Sequence, residues 1–149
     1  MPAMAQSWHT FLWLASQGLE FPFVAPFGWV TMVLVANLLA ALFVAKSRLR
    51  QKWQPSYWML FLQLLCIPIM CAIGTVYWTS PIPFPRATPN KTGEWLVDAS
   101  LGIFLFIGAY YAWRMKHLRW LSISISLFLE WFALGFAFVA GMAVTGQWL

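Results

Sequence analysis

Three polar side chains interrupt stretches of this sequence that are otherwise apolar, and their types could support chemistry inside a membrane. Asn37, Gln63 and Glu130 each stand almost alone in a different apolar run. A carboxylate isolated in hydrocarbon is costly, and it is stabilised there by hydrogen bonds, by protonation or by water. We therefore predict that the two amides and Glu130 form one polar cluster between helices.

Positions along the predicted helices place Glu130 and Asn37 at similar depths. Glu130 follows Arg119 by eleven residues, which puts it ~16 Å from the start of its run. Asn37 comes ten residues into its own run, or ~15 Å from the opposite membrane face. Gln63 comes seven residues into its run, or ~10 Å. In a hydrocarbon core ~30 Å thick, Glu130 and Asn37 should meet near the midplane.

The run that carries Glu130 also has a stripe of small side chains. These residues recur at steps of three or four and share one helix face with Glu130: Ser122, Ser126, Ala133, Ala137 and Gly141. Such a stripe is typical of closely packed membrane helices. We therefore predict that Glu130 faces a neighbouring helix and not lipid.

The composition indicates a membrane protein. The chain has 149 residues, of which 62% are hydrophobic and 9% charged, whereas a soluble domain carries about 25% charged residues. This excludes an ordinary soluble fold and a disordered chain. Four apolar runs are long enough to cross a bilayer, at about 27–45, 56–79, 95–115 and 118–144. We predict an all-α membrane protein, a single domain over 1–149, with four transmembrane helices in two hairpins.

Two flanking segments are predicted to lie outside these spans. In residues 1–22 five apolar side chains recur at helical spacing: Trp8, Phe11, Leu12, Ala15 and Leu19. This pattern favours a short helix lying in the membrane interface. The alternative is a plain N-terminal tether. Residues 80–94 contain four prolines and predict an extended outer loop. Asn90 begins a triplet of the N-glycosylation pattern.

Basic residues predict the orientation. Seven of the nine cations lie in two short turns without an acid: Lys46, Arg48, Arg50, Lys52, Arg114, Lys116 and Arg119. By the positive-inside rule, loops 46–53 and 114–119 are cytoplasmic and both termini lie outside. Asp98 then lies ~5 Å below the outer edge. The cations are expected to contact lipid headgroups, so the net charge of +5 does not indicate nucleic-acid binding.

Other chemistry has little support in the sequence. Cys66 and Cys71 are five residues apart and would point about 140° away from each other on a helix, so we predict two buried thiols. His9 and His117 fall on opposite sides of the membrane and cannot form a haem pair. The chain has no catalytic triad, phosphate loop or metal motif. Pro68 should kink the second span.

Three functional interpretations remain open. The small size and short loops favour a subunit or homo-oligomer within a membrane assembly. Glu130 favours an oligomeric ion or proton channel, or a proton-coupled small transporter. The aromatic content of 19% is compatible with a bound lipid, quinone or pigment, and thus with an intramembrane lipid- or isoprenoid-binding protein or enzyme. No cofactor is evident, and an enzyme is the less favoured class.

Overall fold

Helices make up nearly all of the chain that a computed structural model describes, namely residues 2–24, 26–52, 55–78 and 90–146. The α-helices are α1 (Pro2–Glu20), α2 (Gly28–Lys52), α3 (Cys66–Val76), α4 (Lys91–Arg114) and α5 (Arg119–Thr145). Shorter 3-10 segments cover Phe21–Phe23, Pro55–Leu65 and Lys116–Leu118. Most of the predicted loop 80–94, and the side chains of Arg48, Arg50 and Lys52, lie outside the described residues.

Four helical stretches are long and apolar enough to cross a membrane: Gly28–Lys46, Tyr57–Val76, Lys91–Arg114 and Lys116–Thr145. They match the four predicted spans closely, and the all-α membrane fold is confirmed. The second stretch changes from 3-10 to α-helix at Cys66, just before Pro68. Pro68 thus lies in the first turn of α3, where a missing N–H costs little.

Local sequence explains where the last two spans begin and end. The Asn90 side chain accepts a hydrogen bond from the Gly93 N–H at 3.3 Å and caps the start of α4. The backbone of Gly146 is left-handed, with φ 69°, and it ends α5. Between α4 and α5 the Leu118 N–H donates to the Met115 carbonyl at 2.9 Å, which closes a tight turn. These two helices form the predicted second hairpin.

Helix α5 is the centre of the bundle. Half of its span is buried inside the protein, a larger share than in any of the other three spans. Small residues such as Ser122, Ala133, Ala140 and Ala143 are buried along it and allow neighbouring helices to approach closely. One apolar cluster surrounds Met70, Phe104 and Phe136 near the C-terminal half of α5. A second surrounds Leu60, Met115 and Leu121 near its N-terminal end.

Helix α1 packs against the bundle. Leu14 is buried and approaches Gly74 on α3. Gly74 in turn lies close to Ala140, whereas Gly18, one turn further along α1, contacts Phe136. Moving from Leu14 to Gly18 along α1 corresponds to moving back from Ala140 to Phe136 along α5, so the two helices are antiparallel here. The sequence predicts an interfacial helix with five side chains on its apolar face. Phe11 and Ala15 are partly buried against the core, whereas Trp8, Leu12 and Leu19 are exposed.

The chain between α1 and α2 crosses the middle of α5. The rings of Phe21 and Phe138 are 5.2 Å apart, and those of Phe27 and Trp131 are 6.1 Å apart. Helix α2 then continues towards Arg119, with Asn37 beside Ser124. Helices α1 and α2 thus lie along successive halves of α5, and the non-helical break between them falls beside its centre.

Candidate functional site

Glu130 and Gln63 meet inside the bundle. The Gln63 Nε2 donates to Glu130 Oε1 at 3.2 Å and to the Phe104 carbonyl at 3.1 Å. Only 8% of Glu130 and 3% of Gln63 is exposed. One amide therefore ties α5 to α4 and to the 3-10 half of the second span.

A glycine makes room for this contact. A Cβ at Gly108 would lie 2.5 Å from Gln63 Nε2 and 3.1 Å from Ser126 Oγ. A larger residue at position 108 would therefore displace the Gln63 amide. The small-residue stripe of α5 has the same role, since Ser122, Ser126 and Ala133 are buried. Glu130 thus lies on a packed face, where the sequence had placed it.

Several polar atoms around Glu130 lack a partner. Four buried atoms make no hydrogen bond within the described part of the chain: Glu130 Oε2, Gln63 Oε1, Ser122 Oγ and Ser126 Oγ. Ser126 lies one turn before Glu130 on the same face of α5, whereas Ser122 lies eight residues, or ~12 Å, before it. Buried polar groups in native proteins are almost always paired, with protein atoms or with water. We call the side chains of Glu130, Gln63 and Ser126 the polar pocket.

Apolar layers enclose the polar pocket at both ends. Towards Arg119, the buried side chains of Leu60, Met115 and Leu121 belong to one cluster. On the other side, Phe104 and Phe136 belong to the second cluster. Apolar side chains therefore flank the polar pocket on two sides.

Asn37 does not join the polar pocket, which corrects the predicted cluster. Its Nδ2 donates to Ser124 Oγ at 3.0 Å, and Ser124 Oγ donates to the Trp120 carbonyl at 2.9 Å. Ser124 precedes Glu130 by six residues, or ~9 Å along the helix. The reason is the register of α2: it begins beside Trp131, because α1 occupies the C-terminal half of α5.

The remaining predicted residues lie away from Glu130. Ala137 and Gly141 are only half-buried, and a Cβ at Gly141 would meet nothing within 4 Å. Asp98 is exposed on α4. Four of the seven basic residues predicted to set the topology have described side chains, and all four are exposed at the opposite end of the bundle: Lys46, Arg114, Lys116 and Arg119. Arg114 donates to the Tyr110 hydroxyl at 2.7 Å.

Metal chemistry has no support among the described residues. They contain no group of three His, Cys, Asp or Glu side chains placed to hold a metal ion. Cys66 and Cys71 are free and buried, as predicted. Gly102 and Gly108 are glycines within a predicted span, where the sequence predicts room for a close neighbour; the structure places a neighbour at Gly108 and none within 4 Å of a Cβ at Gly102. The Phe104 carbonyl is a main-chain acceptor and leaves no trace in the sequence.

Comparison with known proteins adds no family assignment. No protein-family model, no curated protein and no solved structure matches this chain.

Proposed function

We propose that the protein is a small integral-membrane carrier in which Glu130 takes up and releases a proton. The observation that supports this is the set of three unpaired polar atoms of the polar pocket, Glu130 Oε2, Gln63 Oε1 and Ser126 Oγ. Each buried unpaired polar group costs about 1–3 kcal/mol, so these atoms need partners beyond the described side chains. A proton on Glu130 and internal water would supply them.

The proposed chemistry is proton binding at Oε2. A proton there turns Oε2 into a donor, and Gln63 Oε1 and Ser126 Oγ are acceptors in the same pocket. When the proton leaves to water, Glu130 becomes an anion held by the Gln63 N–H. Gln63 also binds the Phe104 carbonyl on α4. Proton binding would therefore alter a contact that joins three helical segments.

The enclosure of the polar pocket favours a carrier over an open channel. A channel needs a continuous polar path, and apolar clusters flank the pocket on both sides. A carrier exposes its site to one side at a time by moving helices. In this proposal the structure corresponds to the occluded stage of that cycle.

Orientation and assembly are part of the same proposal. The exposed cations Lys46, Arg114, Lys116 and Arg119 share one end of the bundle, which would be cytoplasmic by the positive-inside rule. Both termini would then lie outside. Four spans enclose little volume, so association with further copies or a larger assembly would complete the pathway.

A membrane-soluble carbodiimide tests the proposal, because it reacts with protonated carboxyl groups in apolar surroundings. We expect mass spectrometry to find the adduct on Glu130, with less labelling as the pH is raised. Glu130→Gln should remove the adduct, and the matched change Glu20→Gln, at an exposed carboxylate, should leave it. Labelling that does not depend on pH, or absent labelling in folded wild-type protein, would favour a structural tie.

A further inference from the structure

A groove lies along α5, and neither Glu130 nor Gln63 is among the residues that line it. It has a volume of about 420 Å³ and is bordered by α4, α5 and the break between α1 and α2. Four aromatic rings line it: Phe21, Phe27, Trp131 and Phe138. Glu94 and Asp98 of α4 line it as well. We call this cavity the outer groove.

The break between α1 and α2 forms one wall of the outer groove. In a bilayer, irregular backbone is tolerated only where protein buries it or where it lines a cavity. Phe21 and Phe27 come from this break, which directly precedes the Gly28–Lys46 span, and both rings line the groove.

The aromatic wall is fixed without a ligand. Trp131 Nε1 donates to Thr31 Oγ1 at 2.9 Å, and the Thr31 hydroxyl donates to the Pro22 carbonyl. The rings of Phe21 and Phe27 stack with their centroids 4.7 Å apart. A wall that is already ordered loses little entropy when a ligand binds.

The groove also carries negative charge. Glu94 and Asp98 are one turn apart on α4, and both are exposed. Lys91, one turn before Glu94, is exposed at the same end. With two carboxylates and one ammonium, this end of α4 keeps an excess of negative charge.

We propose that the outer groove binds an amphipathic cation. Its ammonium or quaternary ammonium head would lie at Glu94 and Asp98, and its apolar body along the aromatic rings, which also attract cations. The volume is within the usual range for small-molecule sites, ~300–1,000 Å³. The carboxylates repel anionic amphiphiles, and a neutral acyl chain gains nothing from them. This inference does not depend on proton binding at Glu130.

The test uses a photoreactive dodecyltrimethylammonium with a diazirine in its chain, added to the protein in neutral detergent. We expect labelling of groove residues such as Leu134 and Phe138, competed by unlabelled dodecyltrimethylammonium. The same chain with a sulfate head is the comparison and should label the groove at least ~10-fold less, which corresponds to ~1.4 kcal/mol. Equal labelling by both probes would show an ordinary site for apolar chains and overturn the proposal.

Two glycines without close neighbours provide matched variants. Gly141→Leu should fill the outer groove and abolish labelling, because its Cβ points into open space beside the groove. Gly102→Leu is the control, since a Cβ there also meets nothing within 4 Å and Gly102 does not line the groove. The double change Glu94→Gln with Asp98→Asn should remove the preference for the cation. Labelling unchanged in the Gly141 variant, or a preference unchanged in the double variant, contradicts the proposal.

Discussion

Gln63 is the residue on which the polar pocket depends. Its single amide nitrogen serves two acceptors from different helices, Glu130 Oε1 and the Phe104 carbonyl. A bond to a carboxylate is charge-assisted when Glu130 is ionised and becomes weaker when it is protonated. The state of Glu130 therefore changes the strength with which Gln63 holds α5 relative to α4.

Gly108 provides a stability test at this scale. Gly108→Ala would place a methyl group 2.5 Å from Gln63 Nε2, displace the amide and leave buried acceptors unpaired, at a cost of about 1–3 kcal/mol. We expect a lower thermal unfolding temperature in detergent. Gly102→Ala, where a Cβ meets nothing within 4 Å, should cause no loss. Equal stability of the two variants would mean that the Gln63 contact does not stabilise the bundle.

Part of the polar pocket could be predicted from sequence. Glu130 and Gln63 are isolated polar residues in apolar runs, and the cost of burying each alone predicts that they pair. The partner of Asn37 could not be predicted in the same way. Ser124 is one of three serines at alternate positions, Ser122, Ser124 and Ser126. Which of the three serines pairs with Asn37 depends on the register between α2 and α5. The residues around Asn37 do not determine that register.

At the scale of helices, the break between α1 and α2 determines that register. Pro22 and Pro26 predict that a helix ends near residue 22, and the structure agrees. The depth of the break was not predictable. Helix α1 is buried through Leu14 and Gly18, whereas its bulkier side chains Trp8, Leu12 and Leu19 are exposed. The spacing of apolar residues does not mark Gly18 as a contact residue, because glycine adds nothing to a hydrophobic pattern even where it leaves room for a neighbouring ring.

Gly18 tests whether α1 belongs to the bundle. A Cβ at Gly18 would come within 3.0 Å of the Phe136 ring, so Gly18→Ala should push α1 away, at a cost of about 1–3 kcal/mol. We expect faster proteolysis within α1 in detergent. Leu19→Ala, which shortens an exposed side chain, is the comparison and should have a smaller effect. A larger effect of the Leu19 change would instead indicate a helix held only by the membrane interface.

For the whole molecule, α5 connects the two proposed sites. Glu130 contributes its carboxyl to the polar pocket, and the next residue, Trp131, contributes its ring to the outer groove. A rotation of α5 that opened the polar pocket would therefore also move the Trp131 ring in the outer groove. The four spans were predictable because apolar runs of this length form few structures other than a transmembrane helix. The groove was not, since its aromatic rings come from the break and from α5 and lie far apart in sequence.

The measurement that tests the central claim most directly is infrared spectroscopy of the reconstituted protein as the pH is varied. If Glu130 takes up and releases a proton, the C=O stretching band of a buried protonated carboxyl group should be present in acid and disappear as the pH is raised. This band should be absent in Glu130→Gln and retained in Glu20→Gln. A wild-type spectrum without a pH-dependent carboxyl band, or the same band in Glu130→Gln, would contradict proton binding at Glu130.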